Sequence, residues 1–203
     1  MTILSNTLEK REAYYLLSSA IVPRPIALVT TLSPEGVVNA APFSFFNAIA
    51  SDPPLVMLSV DRRRGQRKDT ARNILEKKEF VVNIVPEAIA EQINLCSGDY
   101  GPEVSELELA AFTAVPSTLV SVPRIGESPV QLECTLEQHI TVGRGPNDLF
   151  IAAVLAFHVR DGLLEAGRIN AHTLKAVGRL SGSAYCRSTD IFRMERPKVG
   201  SGS

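Results

Sequence analysis

The fold of this chain is decided by the stretch IALVTTLSPEGVVNAAPFSFFNAIASDPPLVMLSVD, residues 26–61. Its first segment is rich in β-branched residues, and Ser33-Pro34-Glu35-Gly36 has the chemistry of a type I turn, with Pro at its second position and Gly at its fourth. After the turn, Pro42 has no amide hydrogen to donate, which implies a bulge or a sheet edge. The stretch predicts an antiparallel meander of three strands, at residues 26–32, 37–50 and 55–61.

The rest of the sequence predicts three more strands and four helices. The strands are expected at residues 80–85, 130–143 and 149–160, the last two joined by a turn at 145–148. The helices are expected at residues 7–18, 69–77, 87–96 and 106–110. The pattern favours a mainly β domain with helices in its insertions, and closing its sheet into a barrel would remove the exposed edges.

Residues 1–203 are interpreted as a single domain. Its core spans about residues 10–185, and the tail at 187–203 lacks hydrophobic density and is expected to be partly disordered.

Composition narrows the function classes. The 203 residues are 45% hydrophobic and 21% charged, with a net charge of −1, which is typical of a soluble globular protein. This balance argues against a polycation that binds nucleic acid. The three cysteines form neither a disulfide framework nor a zinc-binding motif, so a reducing cytoplasm is the expected location. No export signal or membrane-spanning run is apparent, and no membrane partner is expected.

A cluster of cations gives the clearest local signal. Six of the 21 Lys and Arg residues lie between residues 62 and 72, where a strand ends and a helix begins at Asp69-Thr70. One interpretation is a solvated loop. The other is a phosphate site, because N–H groups at a helix start favour an anion and flanking cations add counter-charge. The sequence leaves both open.

The strand at residues 38–47 mixes small, polar and aromatic residues around Pro42. Small residues would let a ligand ring approach the backbone, whereas the alternative is a bulged strand with aromatic packing. The histidines have no metal-binding spacing, so no metal site is expected. Gly143-Arg144-Gly145 belongs to a hairpin turn and not to a dinucleotide-binding motif, because no helix follows it.

The order of these features resembles the flavin reductase-like family. The resemblance covers roughly residues 10–185 and rests on motifs in the family's order: VPRPIALVTT, VVNAAPFSFF, DPPLVMLSV, KDTARNI, EFVVNIV and GESPVQLECTLEQHITVG. It implies the FMN-binding split barrel, a Greek-key-like antiparallel barrel of six strands with added helices. It also implies a homodimer that holds FMN tightly near the subunit interface.

Site residues follow from the resemblance, position by position. Those expected near the ribityl chain or ring are Thr30, Thr31 and Asn39, and those expected to line the ring are Ala41, Pro42, Phe43, Ser44 and Phe45. Ser59 would lie beside the phosphate, Asn83 would be a secondary contact, and the phosphate would be held by Arg64, Lys68 and Thr70, with Asp69 as the helix cap. His139 would approach the flavin as the catalytic residue and help to place a nicotinamide. Which of Arg62, Arg63 and Arg64 points inward stays open.

The resemblance implies an NAD(P)H-dependent flavin reductase. NADH or NADPH would reduce bound FMN, and the electrons would pass to free flavin or to another small-molecule acceptor. Two alternatives stay open: a non-enzymatic flavoredoxin-like electron carrier, and a small-ligand-binding split-barrel protein without redox activity. A pyridoxamine-phosphate-oxidase-like protein would share the barrel, but the motif order favours the flavin reductase branch.

Overall fold

The computed structural model describes residues 1–197. The helices are α1 Lys10–Ala20, α2 Asp69–Lys77, α3 Ala90–Leu95, α4 Glu106–Leu109 and α5 Ala171–Leu174, with short 3-10 helices at Ser5–Thr7 and Glu87–Ile89. The first seven of its strands are β1 Arg24–Pro25, β2 Ala27–Leu32, β3 Val38–Phe43, β4 Phe46–Ser51, β5 Pro54–Asp61, β6 Glu79–Ile84 and β7 Ala114–Val115. The next are β8 Arg124–Ile125, β9 Val130–Val142, β10 Asn147–Val159, β11 Leu164–Glu165, β12 Arg168–Ile169, β13 Val177–Arg179 and β14 Tyr185–Arg187.

The main sheet is antiparallel and has the strand order β3-β2-β6-β9-β10-β5-β4. Its two outer strands are consecutive in the chain and are joined only by Ser44 and Phe45. The sheet must therefore curl until its edges approach each other, and there the Ser59 amide donates to the Phe45 carbonyl at 2.8 Å. The prediction of a mainly β, antiparallel barrel with added helices is confirmed.

Two details of the prediction are wrong. Residues 37–50 form two strands and not one, which raises the count in the main sheet from six to seven. The first three predicted strands also do not form a meander, because β3 pairs with β2 while β4 pairs with β5 at the far end of the sheet. The connection from β5 to β6 carries α2 past the intervening strands.

Pro42 lies where its missing N–H costs nothing. β3 pairs with β2 alone, so it is an edge strand. Of the two predictions for Pro42, a bulge or a sheet edge, the sheet edge is confirmed. The start of α4 covers this edge: Ser105 Oγ donates to the Val38 carbonyl at 2.8 Å, and the Ala40 amide donates to Glu106 Oε2 at 3.1 Å. Because backbone groups alternate in direction along a strand, the backbone nitrogen of Pro42 faces the same unpaired side as the Ala40 amide.

Helix α1 begins later than the sequence indicates. Glu9 caps it: the Glu9 backbone amide, which has no acceptor within the helix, donates to Glu12 Oε2 at 2.9 Å in a capping box. Thr7 belongs to the preceding 3-10 turn and donates to the Leu4 carbonyl. Of the α1 side chains only Ser18 is buried, so most of this helix lies on the surface.

The barrel interior is apolar and is built around Phe80, Phe150 and Leu58, which are fully buried. A second cluster packs α3 and α4 against the outside of the sheet through Leu28, Ile93 and other buried residues. Helix α2 contributes Ile74 to the first cluster, so burial of Ile74 fixes the position of the helix start relative to the barrel.

A buried carboxylate holds one long loop to the sheet. Glu133 on β9 accepts hydrogen bonds from the amides of Thr118 and Leu119, at 2.7 and 2.6 Å, and contacts His158 Nε2 at 2.5 Å. Burial raises the pKa of Glu133, but these hydrogen bonds outweigh burial and hold the pKa below its usual range. The ionised carboxylate of Glu133 thus anchors the loop at 116–123.

Within residues 1–197, no helix is both long enough and apolar enough to span a bilayer. Residues 198–203 lie outside the described part of the chain, so the prediction of disorder in the tail is not tested at those positions.

Candidate functional site

A wide cleft opens beside the start of α2. Its volume is about 1150 Å³, which is ample for a nucleotide-sized ligand. One wall is β3, the floor and rim are the basic loop and the first turn of α2, and the opposite wall is the segment 96–102. Of the predicted site residues, those that line this cleft are Asn39, Ala41, Pro42, Phe43, Arg64, Lys68, Asp69 and Thr70.

Helix α2 spans Asp69–Lys77, as predicted, but its cap lies one residue earlier than predicted. Lys68 occupies the cap position with extended backbone geometry, and Asp69 is the first helical residue, so the prediction of Asp69 as the cap is wrong. Asp69 forms an ion pair with Arg72, one turn further along. Thr70 is buried, and its Oγ1 accepts a hydrogen bond from Asn39 Nδ2 at 3.0 Å, which ties the helix start to β3.

The basic loop makes a tight reversal. The amides and carbonyls of Arg63 and Gln66 bond each other in both directions, at 2.9 and 2.8 Å. The two residues between them, Arg64 and Gly65, have φ of 48° and 81°, which is the geometry of a two-residue type I′ turn. Gly65 accepts this conformation without strain, and Arg64 stands at the tip of the turn.

The three consecutive arginines have different surroundings. Arg62 does not line the cleft, because it turns to Asp148 and donates to both carboxylate oxygens at 2.8 Å. Arg63 and Arg64 line the cleft, and Arg63 forms an ion pair with Asp99 on the opposite wall. The arginine that points into the cleft, left open by the sequence, is therefore Arg63 or Arg64 and not Arg62.

Asp148 anchors this loop to the barrel. It is fully buried and contacts Arg67 Nε at 3.1 Å and His139 Nε2 at 2.8 Å, in addition to Arg62. Burial raises its pKa, but Arg62, His139 and Arg67 outweigh burial and hold the pKa of Asp148 well below its usual range. Asp148 is therefore ionised throughout the neutral range.

His139 does not line the cleft. Its ring lies against Phe150, with 5.2 Å between ring centroids, and its Nε2 faces Asp148. The structure thus places the predicted catalytic histidine behind the basic loop, on β9, where it supports the buried carboxylate.

The cleft-facing side of β3 combines small, polar and aromatic groups. Asn39, Ala41 and Phe43 alternate along it, and the Lys68 ammonium lies 5.8 Å from the centre of the Phe43 ring. Since the Ala40 amide points away from β2, alternation directs the amides of Ala41 and Phe43 toward β2. These two amides are occupied by the sheet.

Free backbone donors remain at the break between β3 and β4. In the described residues, the amides of Ser44 and Phe45 donate to no protein acceptor. The Ser44 hydroxyl accepts from Arg24 Nε at 3.4 Å, and the Phe45 ring lies 6.3 Å from that of Tyr14 on α1. Among residues 41–45, which were expected to line the ring, Ser44 and Phe45 are the ones whose backbone amides stay available.

Besides Ser44, Phe45 and His139, four more predicted residues do not line the cleft. Thr30 donates to the Pro123 carbonyl at 2.7 Å, and Thr31 accepts from Asn73 at 3.0 Å. Asn83 is fully buried, donates to the Leu28 carbonyl and accepts from the Ile125 amide. Ser59 accepts from Asn147 at 3.3 Å. Each has a structural hydrogen-bond partner inside or on the barrel wall.

Several cleft residues were not identified from the sequence. Asp61 contacts the Lys68 ammonium at 2.6 Å, and Asp99, Tyr100 and Glu106 come from segments distant in the chain. Asp61 ends a predicted strand next to the basic run, and that adjacency is a signal that could have identified it. Nothing local in the sequence marks the other three.

Glu106 is a buried carboxyl group at the edge of the cleft. Burial raises its pKa, although hydrogen bonds from its own backbone amide and from Ala40 oppose this effect. A raised pKa in the folded state means that ionisation costs stability, and this cost begins as the pH rises above about 4.3, the ordinary pKa of glutamic acid.

Glu106→Gln should therefore stabilise the protein at pH 7.5, with a melting temperature higher by a few degrees, and the difference should vanish near pH 4. The amide oxygen of glutamine can still accept from Ala40. Thermal melts at both pH values measure this, with Glu108→Gln on the exposed side of α4 as the control. A variant that is no more stable than the parent at pH 7.5 would contradict the assignment.

Residues 18–175 match the family described as flavin reductase like domain. The chain is 45% identical over 199 residues to the uncharacterized protein YwrF of Bacillus subtilis, covering 95% of this chain and 97% of that one.

Two solved structures share the fold at substantial identity. Component B of nitrilotriacetate monooxygenase from Bacillus cereus superposes with a TM-score of 0.93 at 42% identity, covering 96% of this chain and 98% of the other. The 2-nitrobenzoate 2-nitroreductase NbaA of Pseudomonas fluorescens gives 0.89 at 38% identity, covering 98% and 97%. The chain belongs to the flavin reductase like domain family.

Proposed function

We propose that this protein binds FMN in the cleft and acts as an NAD(P)H-dependent oxidoreductase of the flavin reductase type. The observation that carries the proposal is a cleft lined by a cationic helix start and by β3, with the unpaired amides of Ser44 and Phe45 following directly after β3. Bound FMN would accept a hydride from a nicotinamide and pass electrons to free flavin or another small-molecule acceptor. The protein supplies position and electrostatics.

The phosphate end of FMN fits the start of α2. Lys68 and Arg64 bring cations to the cleft, and the Thr70 hydroxyl, which accepts from Asn39, keeps its own proton free to donate. The amides of the first helical turn add favourable partial charge. A phosphate dianion therefore meets a complementary set of donors in this part of the cleft.

The ring of FMN fits the wall made by β3. Ala41 leaves room for close approach, and Phe43 offers an apolar face beneath it. The amides of Ser44 and Phe45 can donate to the polar edge of the ring and would favour the negative charge that reduction adds there. His139 enters as a positioning residue, through Asp148 and the basic loop.

The named relatives support a reductive role and leave the acceptor to be found. One relative is named as a nitroreductase, which supports a small-molecule acceptor, and another as a monooxygenase component, which supports delivery of electrons to a partner.

The direct test is the visible spectrum of the purified protein, with the bound group released by heat and identified, followed by stopped-flow mixing with NADH and NADPH. FMN release and rapid bleaching of the flavin absorbance would support the proposal. A flavin that either nicotinamide reduces very slowly would indicate an electron carrier. A colourless protein that takes up no added FMN would exclude a flavoenzyme.

Lys68→Ala should weaken FMN binding by about 10–100-fold, the loss expected for one charge-assisted contact. Riboflavin, which lacks the phosphate, should bind both proteins equally. Titrations followed by flavin fluorescence measure the two constants. Lys77→Ala, at the exposed far end of the same helix, is the matched control. Equal FMN affinity in the Lys68 variant and its parent would remove the phosphate assignment.

We further propose that the protein is a homodimer in which α1 takes part in the interface. The helix leaves Tyr14 and Leu17 more than half exposed, with relative exposures of 53% and 54%, and Ile21 just beyond it reaches 60%. Burial of such apolar side chains by a second copy would be favourable. Analytical ultracentrifugation tests this, and a monomer at micromolar concentration would contradict it.

A further inference from the structure

Of the five lysines and arginines that line the cleft in residues 1–197, four are already paired with carboxylates. Lys68 contacts Asp61 at 2.6 Å, and Arg63 and Arg72 form ion pairs with Asp99 and Asp69. Among the cations that line the cleft in residues 1–197, Arg64 is the one without an ion pair. The cleft is therefore much less positive than its count of lysines and arginines indicates.

Asp61 differs from the other carboxylates in position. It is the last residue of β5, pairs across the sheet with Asn147, and lines the cleft beside Lys68. Its side chain is 61% exposed and that of Lys68 is 40% exposed, so the ion pair between them is solvated. An exposed ion pair contributes little to folding, so the role of Asp61 has to be sought in the cleft.

The ion pair competes with any phosphate. A Lys68 ammonium that is bonded to Asp61 has less positive charge to offer an incoming phosphate. The Asp61 carboxylate, within several ångströms of a phosphate dianion, would also repel that dianion. We infer that Asp61 lowers the affinity of the cleft for the phosphate of FMN, so that the flavin exchanges with solution and is not held permanently. This inference rests on the proposed function and names a residue that tunes it.

The competing possibility assigns Asp61 the opposite effect. If Asp61 served to hold Lys68 in the position that the phosphate requires, its removal would weaken binding. The geometry favours competition, because Lys68 also lies over the Phe43 ring and is packed from a second side without Asp61. The two roles predict changes of opposite sign in the FMN affinity.

Asp61→Asn should tighten FMN binding by about fivefold to tenfold at low salt, from the loss of one repulsion across a solvated gap. The gain should appear mainly as slower release and should shrink as ionic strength rises. Riboflavin should bind the variant and the parent equally. Asp161→Asn, at an exposed turn after β10, makes the same change of charge outside the cleft and is the control.

Fluorescence titration and displacement kinetics with the full-length protein decide between the outcomes. Tighter FMN with unchanged riboflavin supports the inference. Unchanged or weaker FMN binding in the Asp61 variant overturns it and leaves the proposed function intact. A parent protein that binds neither flavin overturns the proposed function and the inference together. An equal gain for both flavins would also overturn the inference, because the effect would not involve the phosphate.

Discussion

Asp148→Ala should destabilise the protein by about 3 kcal/mol and raise the dissociation constant for FMN at least about tenfold. Removing a buried carboxylate leaves its cationic partners without a counter-charge, and such losses are typically large. Arg62 and Arg67 would lose the contacts that hold the basic loop to β10. For a chain of this length the change corresponds to a melting temperature lower by about 6–12 °C.

The pH dependence of this effect distinguishes an ionic anchor from simple packing. Since the pKa of Asp148 is depressed in the folded protein, its stabilisation is present above about pH 4, near the ordinary pKa, and is lost as the pH falls toward the depressed value. The difference between parent and variant should thus be full at pH 7 and should shrink below about pH 4. Denaturant melts at several pH values measure it.

His139→Gln provides a milder variant of the same anchor, should the Asp148 variant fold poorly. It removes one of the contacts to the carboxylate and leaves both arginines in place. FMN affinity should fall by a few-fold, and reduction of the bound flavin by a nicotinamide should stay close to the parental rate. A large loss of that rate, with FMN affinity unchanged, would restore His139 as a catalytic residue.

Ala41→Phe should weaken binding of FMN and of riboflavin alike, by about 100-fold. The new ring would stand between Asn39 and Phe43, in the space that the proposal gives to the flavin ring. A larger side chain at a half-buried site costs up to about 1–3 kcal/mol of stability, so the fold should survive. This variant therefore separates the ring site from the phosphate site, which Lys68→Ala tests.

Fluorescence titration with both flavins measures the effect of Ala41→Phe, and circular dichroism checks that the barrel is intact. Ala88→Phe adds the same ring at an exposed position outside the cleft and should leave both affinities unchanged. If riboflavin bound the Ala41 variant as well as it binds the parent, the ring would have to lie elsewhere.

Much of the fold follows from local pattern. The alternation of polar and apolar residues predicted β9 and β10, and the β-branched composition of residues 26–32 predicted β2, which is buried on both faces. The start of α2 was predicted within one residue from the change in composition at Asp69. These features depend on neighbours in the chain, and local physical rules are sufficient for them.

The parts that could not be predicted depend on contacts between distant segments. Residues 37–50 are uniformly strand-like, and only closure of the barrel decides that the chain breaks at Ser44. Asp148 is of a residue type that is common in turns and lies in the predicted turn at 145–148. The pairing of β10 with β5 and β9 nevertheless buries it beneath the basic loop. The partner of His139 is set by that same register and by no local motif.

The break between β3 and β4 also gives the barrel a compliant seam. Along the other junctions of the sheet, successive ladder bonds would have to rupture together before neighbouring strands could separate. At the seam the strands are tethered by the chain itself, and the bond from the Ser59 amide to the Phe45 carbonyl lies at the same place. Separating β3 from β5 there would therefore break fewer hydrogen bonds than at the other junctions, and β3 is the strand that lines the cleft.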